Sequence, residues 1–197
     1  MFNKLLKFLS IAMLLAGLIL ISYGGYHLFS QKQHQDKALQ EAQAQVLRKE
    51  QNKKAQESSI STYSFKQGNV IGVLDIPALN RELPIIEGTD EEELEKGVGH
   101  YSSTKLPNQQ DRIFLAGHRD TVFKQMGDLK EGDMLRVEMS TGTFTYEIYE
   151  MFIVKEDDMS VVQSTSPDEI LTLSTCYPFE YLSSTEKRYI INAKRVD

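Results

Sequence analysis

The chain has 197 residues, enough for one ordinary domain and an appendage but not for a second enzyme domain. Its formal net charge is −6, and Lys and Arg are scattered among acidic residues, so the basic stripe of a nucleic-acid-binding surface is missing and no nucleic-acid partner is expected. The lone cysteine, Cys176, excludes an intramolecular disulfide framework, which neither requires nor forbids export.

Residues 1–7 carry Lys4 and Lys7 and precede a run, residues 8–29, without Asp, Glu, Lys or Arg. The run is mostly Leu, Ile, Ala and Met and has the length of a helix that spans a bilayer. It exceeds the apolar part of a usual signal peptide, and Ser22-Tyr23-Gly24-Gly25-Tyr26 is a poor cleavage site. It therefore reads as a retained transmembrane signal anchor behind a seven-residue tail. Lys32 and Lys37 follow the run, so the charge bias across it does not by itself assign sidedness. Residues 30–59 are rich in Gln, Lys, Glu and Ala, with an intermittent apolar stripe of Ala38, Leu39, Ala42, Val46 and Leu47. This composition predicts a polar stalk, helical or disordered, which if fully helical would lift the next domain roughly 40 Å at about 1.5 Å per residue.

From residue 60 to residue 197 the texture changes to short β-type runs separated by Gly, Pro, Asn and Asp. Strands are predicted over residues 70–76, 83–87, 112–116, 134–139, 143–154, 170–175 and 188–193. Together they predict an all-β domain with short helices, mostly antiparallel and closed as a barrel or folded as a sandwich. Thr89-Asp90-Glu91-Glu92-Glu93-Leu94 reads as an acidic first helical turn capped by Thr89.

Cys176 ends the run Leu171-Thr172-Leu173-Ser174-Thr175 and is followed at once by Tyr177-Pro178, which stops the strand. Period-two alternation sends Leu171 and Leu173 one way and Thr172, Ser174 and Cys176 the other, so the thiol shares a face with hydroxyls. His118 ends another strand beside Gly117, a residue that permits a tight turn or a close approach by another group. An imidazole near a thiol can move the protons that thiol attack and amine departure require. Arg188 opens the last strand, and if that strand returns beside the one ending at Cys176, guanidinium and thiol share one sheet edge. A fixed fork of donors there suits an oxyanion. Asp120 is a candidate for orienting His118. His27, in the anchor, and His34, in the stalk, are weaker candidates.

These stretches resemble the sortases, cysteine transpeptidases of Gram-positive cell surfaces. Thr172 to Cys176 matches the family's Thr-Leu-x-Thr-Cys motif, Gly117-His118-Arg119-Asp120 is similar to the region of its histidine, and Arg188 falls where its arginine is expected. Gly97-Val98-Gly99-His100-Tyr101 and Gly127-Asp128-Leu129 extend the likeness, and Cys-Tyr-Pro-Phe with an N-terminal anchor looks most like class D. Ser102-Ser103-Thr104 departs from related sequences, which often carry Pro and Gly after the tyrosine.

The resemblance implies a closed sortase-type β-barrel outside the membrane and an N-terminus in the cytoplasm. It implies thioester chemistry at Cys176 on an LPxTx-like sorting signal of a surface protein, and transfer to an amine of a cell-wall precursor or another protein. No metal and no organic cofactor are expected. Substrate contacts are expected from Thr175, Tyr177 and His100, and from Val161 and Val162 in a segment that resembles the family's substrate-contacting loop. A cysteine endopeptidase or hydrolase and a non-enzymatic, membrane-tethered β-barrel binding module are the alternatives.

Overall fold

The computed structural model describes residues 2–53, 65–179 and 185–196, and along parts of residues 2–53 it describes the backbone only. The boundary expected near residue 60 lies outside the described residues. A helix α1, Phe2–Lys53, is followed by strands β1, Val70–Ile76; β2, Arg81–Glu87; β3, Val98–His100; β4, Ile113–Ala116; β5, Met134–Met139; β6, Gly142–Lys155; β7, Ile170–Tyr177; and β8, Lys187–Arg195. A short helix α2, Glu91–Lys96, connects β2 to β3.

The strands close into a barrel in the order β1-β2-β3-β4-β7-β8-β6-β5, and closure leaves no unpaired sheet edge. The expected all-β architecture is therefore a barrel and not a sandwich. It is less uniformly antiparallel than expected, because β2 pairs with β3 and β4 pairs with β7 in parallel. β3 was not predicted: Val98-Gly99-His100 is too short and too glycine-rich to stand out by alternation. Helix α2 starts after Asp90, one residue later than expected, and its N-cap makes no side-chain hydrogen bond.

Inside the barrel, Leu74, Ile76, Leu83, Ile85, Leu135, Val137, Leu171, Leu173, Ile191 and Ala193 belong to one buried cluster. The alternation on β7 holds, since Leu171 and Leu173 belong to this core while the Thr172 hydroxyl between them bonds with the Arg112 and Asn192 side chains. The connection between β4 and β5 folds into the barrel mouth, where Val122, Phe123, Met126 and Leu129 are buried in the same cluster. At the opposite end the side chain of Glu169 is only 8% exposed. It accepts from Tyr146 Oη at 2.8 Å, Arg195 Nη1 at 2.7 Å and the Asn108 N–H at 2.8 Å. A buried carboxylate is tolerable there because each contact compensates part of its lost hydration.

The polar segment predicted as a stalk is helical as far as Lys53. It does not stand free over its whole length: α1 packs on β1, β2 and α2, and Ala38 and Ala42, one helical turn apart, are buried. Gln43 Nε2 donates to Glu82 Oε2 at 2.6 Å beside this contact. Small side chains let the helix axis approach the barrel wall, which the sequence concealed because two alanines look like weak apolarity. Residues 8–29 lie within α1, and among the described residues no helix is long and apolar enough to cross a membrane.

Candidate active site

The parallel pairing of β4 with β7 positions the site. Ile113 lies opposite Leu171 and Ala116 opposite Ser174, so both strands leave the sheet at the same rim. The pairing continues one step further: the Gly117 N–H donates to Ser174 O at 3.1 Å, and Thr175 Oγ1 donates to Gly117 O at 2.8 Å. Two residues beyond the last matched pair, Ala116 and Ser174, come His118 and Cys176, so the parallel pairing sends both toward the same rim. A Cβ on Gly117 would stand 2.7 Å from Val122 Cγ2 and 2.8 Å from Phe123 Cδ2. The glycine thus permits the close approach expected of it, and the turn after it, closed by the Phe123 N–H donating to His118 O at 2.9 Å, folds directly back into the core.

Cys176 and Arg188 are direct cross-strand partners in the antiparallel β7–β8 ladder. Opposed residues on one face of such a ladder have Cβ atoms about 5 Å apart. The cysteine is a free thiol and partly exposed. Arg188 Nη2 pairs with Glu156 Oε2 at 2.9 Å, and Arg188 Nη1 donates to Thr185 O at 2.8 Å and Lys187 O at 3.1 Å. His118 is 29% exposed at its side chain, and its Nε2 stands 3.6 Å from Glu91 Oε1. That separation is too long for a hydrogen bond, and Glu91 is well exposed, so the pair is a weak electrostatic contact.

Two further ties hold this rim together. Arg119 Nη1 donates to Pro178 O at 2.9 Å, joining the segment after His118 to the segment after Cys176. Arg81 donates to Lys124 O and Thr121 O, each at 3.0 Å, clamping the His118 connection to the start of β2. Burial lowers the Arg81 pKa somewhat from its ordinary value, as expected for a guanidinium drawn partly out of water to make this clamp. Below Cys176, Thr172 Oγ1 donates to Asn192 Oδ1 at 2.8 Å and accepts from Arg112 Nη1 at 2.6 Å, so the outer face of β7 is polar along its length.

Several expected site residues have other occupations. His100 is buried with Nδ1 2.7 Å from Glu87 Oε2 and Nε2 3.0 Å from Lys105 O, which makes it a structural link between β2, β3 and the following loop and not a substrate contact. Burial pushes the Glu87 carboxyl up, but hydrogen bonds from His100 and Ser102 and the charge of His100 outweigh it and hold the group below its ordinary range. The Ser102-Ser103-Thr104 departure belongs to the same link: Thr104 Oγ1 donates to Tyr101 O at 2.8 Å and accepts from the Phe114 N–H at 3.1 Å.

Thr175 is 3% exposed and spends its hydroxyl on Gly117 O, so it joins strands instead of touching substrate. Tyr177 packs with Phe179 and Tyr189, with ring centroids 5.6 and 6.1 Å away, in an aromatic cluster at the barrel mouth. Burial, and secondarily the nearby Tyr177, pushes the Tyr189 phenol up, in keeping with a water-poor cluster. Asp120 is exposed, and the carboxylate that faces the His118 ring is that of Glu91. Val161 and Val162 are half-buried in a 3₁₀ turn, Met159–Val162, whose N-cap Asp158 accepts from the Ser160 N–H. Among the described residues no group of acidic, His or Cys side chains could hold a metal ion.

Glu156, Arg81, Arg119 and Glu91 were not singled out from the sequence. Their contacts depend on register and loop path, which neither the motif around Arg119 nor the acidic turn around Glu91 reveals. The arrangement offers a partly exposed sulfur, a histidine on the segment that leaves the neighbouring strand at the same rim and an arginine directly across the ladder, the three functions that acyl transfer through a thioester requires.

A sortase-domain profile matches residues 74–196. Sortase D of Bacillus subtilis strain 168 is 42% identical over 195 residues, covering 96% of this chain and 98% of that protein. Among solved structures, a Clostridium perfringens sortase D5 transpeptidase aligns with a TM-score of 0.69 and 25% identity, over 84% of this chain and 99% of that one. A Clostridium perfringens sortase C solved with the C-terminal cell wall sorting motif aligns at a TM-score of 0.62 and 24% identity, over 84% of this chain and 89% of that one. A profile over most of the chain, a relative matched nearly end to end and the closed barrel agree: the chain belongs to the sortase family of cysteine transpeptidases.

Proposed function

We propose that this sortase is held in the cell membrane by residues 8–29, with its N-terminus in the cytoplasm and its barrel outside, and that it transfers surface proteins through a thioester at Cys176. The anchor reading is supported by the length of the run without charged residues and by the two lysines before it. Cys176 Sγ attacks the Thr carbonyl carbon of an LPxTx-like signal, and Arg188 donates to the oxyanion. The C–N bond breaks, and the leaving amine takes its proton from His118. An incoming amine from a cell-wall precursor or a protein then attacks the thioester. It gives a proton to His118, and Cys176 departs as the new amide forms. Val161 and Val162, in the connection that begins beside Arg188, line the path of the signal's Leu and Pro.

The single observation that carries this reading is the β7–β8 ladder, which sets Arg188 directly opposite Cys176; the parallel β4–β7 pair, last matched at Ala116 and Ser174, supports it by running His118 toward the same rim. The test is mass spectrometry of the full-length chain in detergent with a small library of LPxTx peptides, with and without candidate amines. The expected result is a wild-type acyl-enzyme adduct that the amine resolves to a transfer product. Cys176→Ala should keep its melting temperature and lose the adduct. Turnover in Cys176→Ala would refute the assignment, and release by water in preference to a supplied amine would make the protein a hydrolase.

A further inference from the structure

The connection after β6 begins with a carboxylate that the reaction above does not use. The Glu156 N–H donates to Glu186 O at 2.8 Å, which extends the β6–β8 ladder one pair beyond Lys155 and Lys187. From that fixed backbone, Oε2 accepts from Arg188 Nη2 at 2.9 Å. The Glu156 side chain is 48% exposed and that of Arg188 30%, and a pair this accessible adds little to stability. The fold therefore gives no strong reason for the contact.

The geometry of the fork gives one. Arg188 has five N–H donors in a plane. Thr185 O and Lys187 O take two from Nη1, and Glu156 takes one from Nη2. Among the described residues, nothing takes the Nε–H or the second Nη2 N–H. Three contacts hold the guanidinium, and among the described residues two of its donors are left for a further acceptor at the position opposite Cys176.

We propose that Glu156 is a positioning residue for Arg188, holding the guanidinium so that its unused donors serve the acyl carbonyl during thioester formation. This rests on the assignment of Arg188 to the oxyanion. Glu156 touches neither the substrate nor the sulfur and acts only through the arginine.

The test is steady-state transpeptidation by the full-length chain in detergent, comparing wild type, Glu156→Ala, Glu156→Gln, Arg188→Lys and the double variant Glu156→Ala/Arg188→Lys. Glu156→Ala should lower kcat about tenfold, less than the outright loss of an oxyanion donor, with KM for the peptide within about twofold. Gln keeps the reach and an acceptor oxygen, so Glu156→Gln should recover most of the loss. Lysine lacks the fork, so in the Arg188→Lys background removing Glu156 should change kcat by less than about twofold. Unchanged kcat in Glu156→Ala, an effect on KM alone, or an undiminished loss in the Arg188→Lys background would each overturn the proposal. Absence of any adduct in the wild type would overturn the reading of the reaction together with this inference. An adduct in the wild type and equal rates in Glu156→Ala would overturn this inference alone.

Discussion

Replacing Thr175 with valine removes one hydroxyl and almost no volume, which makes it a clean probe of how the His118 segment is held. Thr175 is 3% exposed, and its Oγ1 donates to Gly117 O at 2.8 Å, the last bond between the two segments before His118 and Cys176. Valine leaves that carbonyl without its donor, at a cost of about 1–2 kcal/mol for a buried acceptor. For a domain of this size the loss corresponds to a fall in Tm of roughly 3–8 °C. The kinetic consequence is separate. If the bond sets the position of His118 over the thiol, its loss lets the imidazole drift, and a displacement of about 1 Å can cost up to about 100-fold in rate. Thr175→Ser provides the contrast. It keeps the donor and loses a buried methyl worth about 1 kcal/mol, so it should melt lower than wild type yet keep its kcat. Thermal unfolding and transpeptidation measured on all three proteins separate the effects, since activity should follow the hydroxyl while stability follows both changes. Thr175→Ser as slow as Thr175→Val, or Thr175→Val with wild-type kcat, would refute the reasoning.

Acid should weaken the His100 link: the Glu87 pKa lies below its ordinary 4.5, so its contribution is present above that value and is lost as pH falls through the lower, folded value. Urea midpoints across that window should therefore fall more steeply for wild type than for Glu87→Gln, and parallel curves would count against the link. At the barrel mouth, a Cβ on Gly127 would lie 2.8 Å from Phe179 Cε2, so Gly127→Ala should cost about 1–3 kcal/mol by overpacking, read as a lower Tm. At the other end, Glu169→Ala removes the acceptor shared by Tyr146 and Arg195. It should cost roughly 2–3 kcal/mol, with kcat per folded molecule unchanged, as a denaturant curve paired with an activity assay would show. On α1, Ala42→Glu would bring a charge into a position 1% exposed; faster hydrogen exchange over residues 33–47, with the barrel core unaffected, is the expected sign of undocking.

The strands that read clearly in the sequence are those whose alternation is long. Residues 134–139 and 170–175 stood out because one face is uniformly apolar and because Gly, Asp or Pro stops them. β3 did not, since three residues are fewer than two periods of any pattern. The candidate trio of His118, Cys176 and Arg188 was legible through type and placement at strand ends, and through a motif, Thr172 to Cys176, that fixes the thiol's face. The settings of His100 and Tyr177 are hidden from the sequence for a common reason. Each stands near the motif residues in sequence, but His100 faces Glu87 across a parallel pair and Tyr177 turns into an aromatic cluster, and neither neighbour is visible without the topology. The docking of α1 was hidden by the weak apolarity of Ala38 and Ala42, where small size and not hydrophobicity makes the contact.

The parallel pairing of β4 and β7 shows why such a site needs more than the right residues at strand ends. Were these strands antiparallel neighbours, the end of β4 would lie beside the start of β7, and His118 would be separated from Cys176 by most of the strand's length. At about 3.3 Å per residue over Ile170–Tyr177 that distance exceeds what an imidazole can bridge. In the parallel pair both chains exit at one rim, and the antiparallel return of β8 then brings Arg188 to the same rim from the other side. A register slip of one residue in either pair would turn one group to the opposite face. The bonds at Gly117, Ser174 and Thr175 lock the first pair, and those of Glu156 and Glu186 lock the ladder beside the second. Variants that weaken these locks should therefore reduce transfer well before they unfold the barrel.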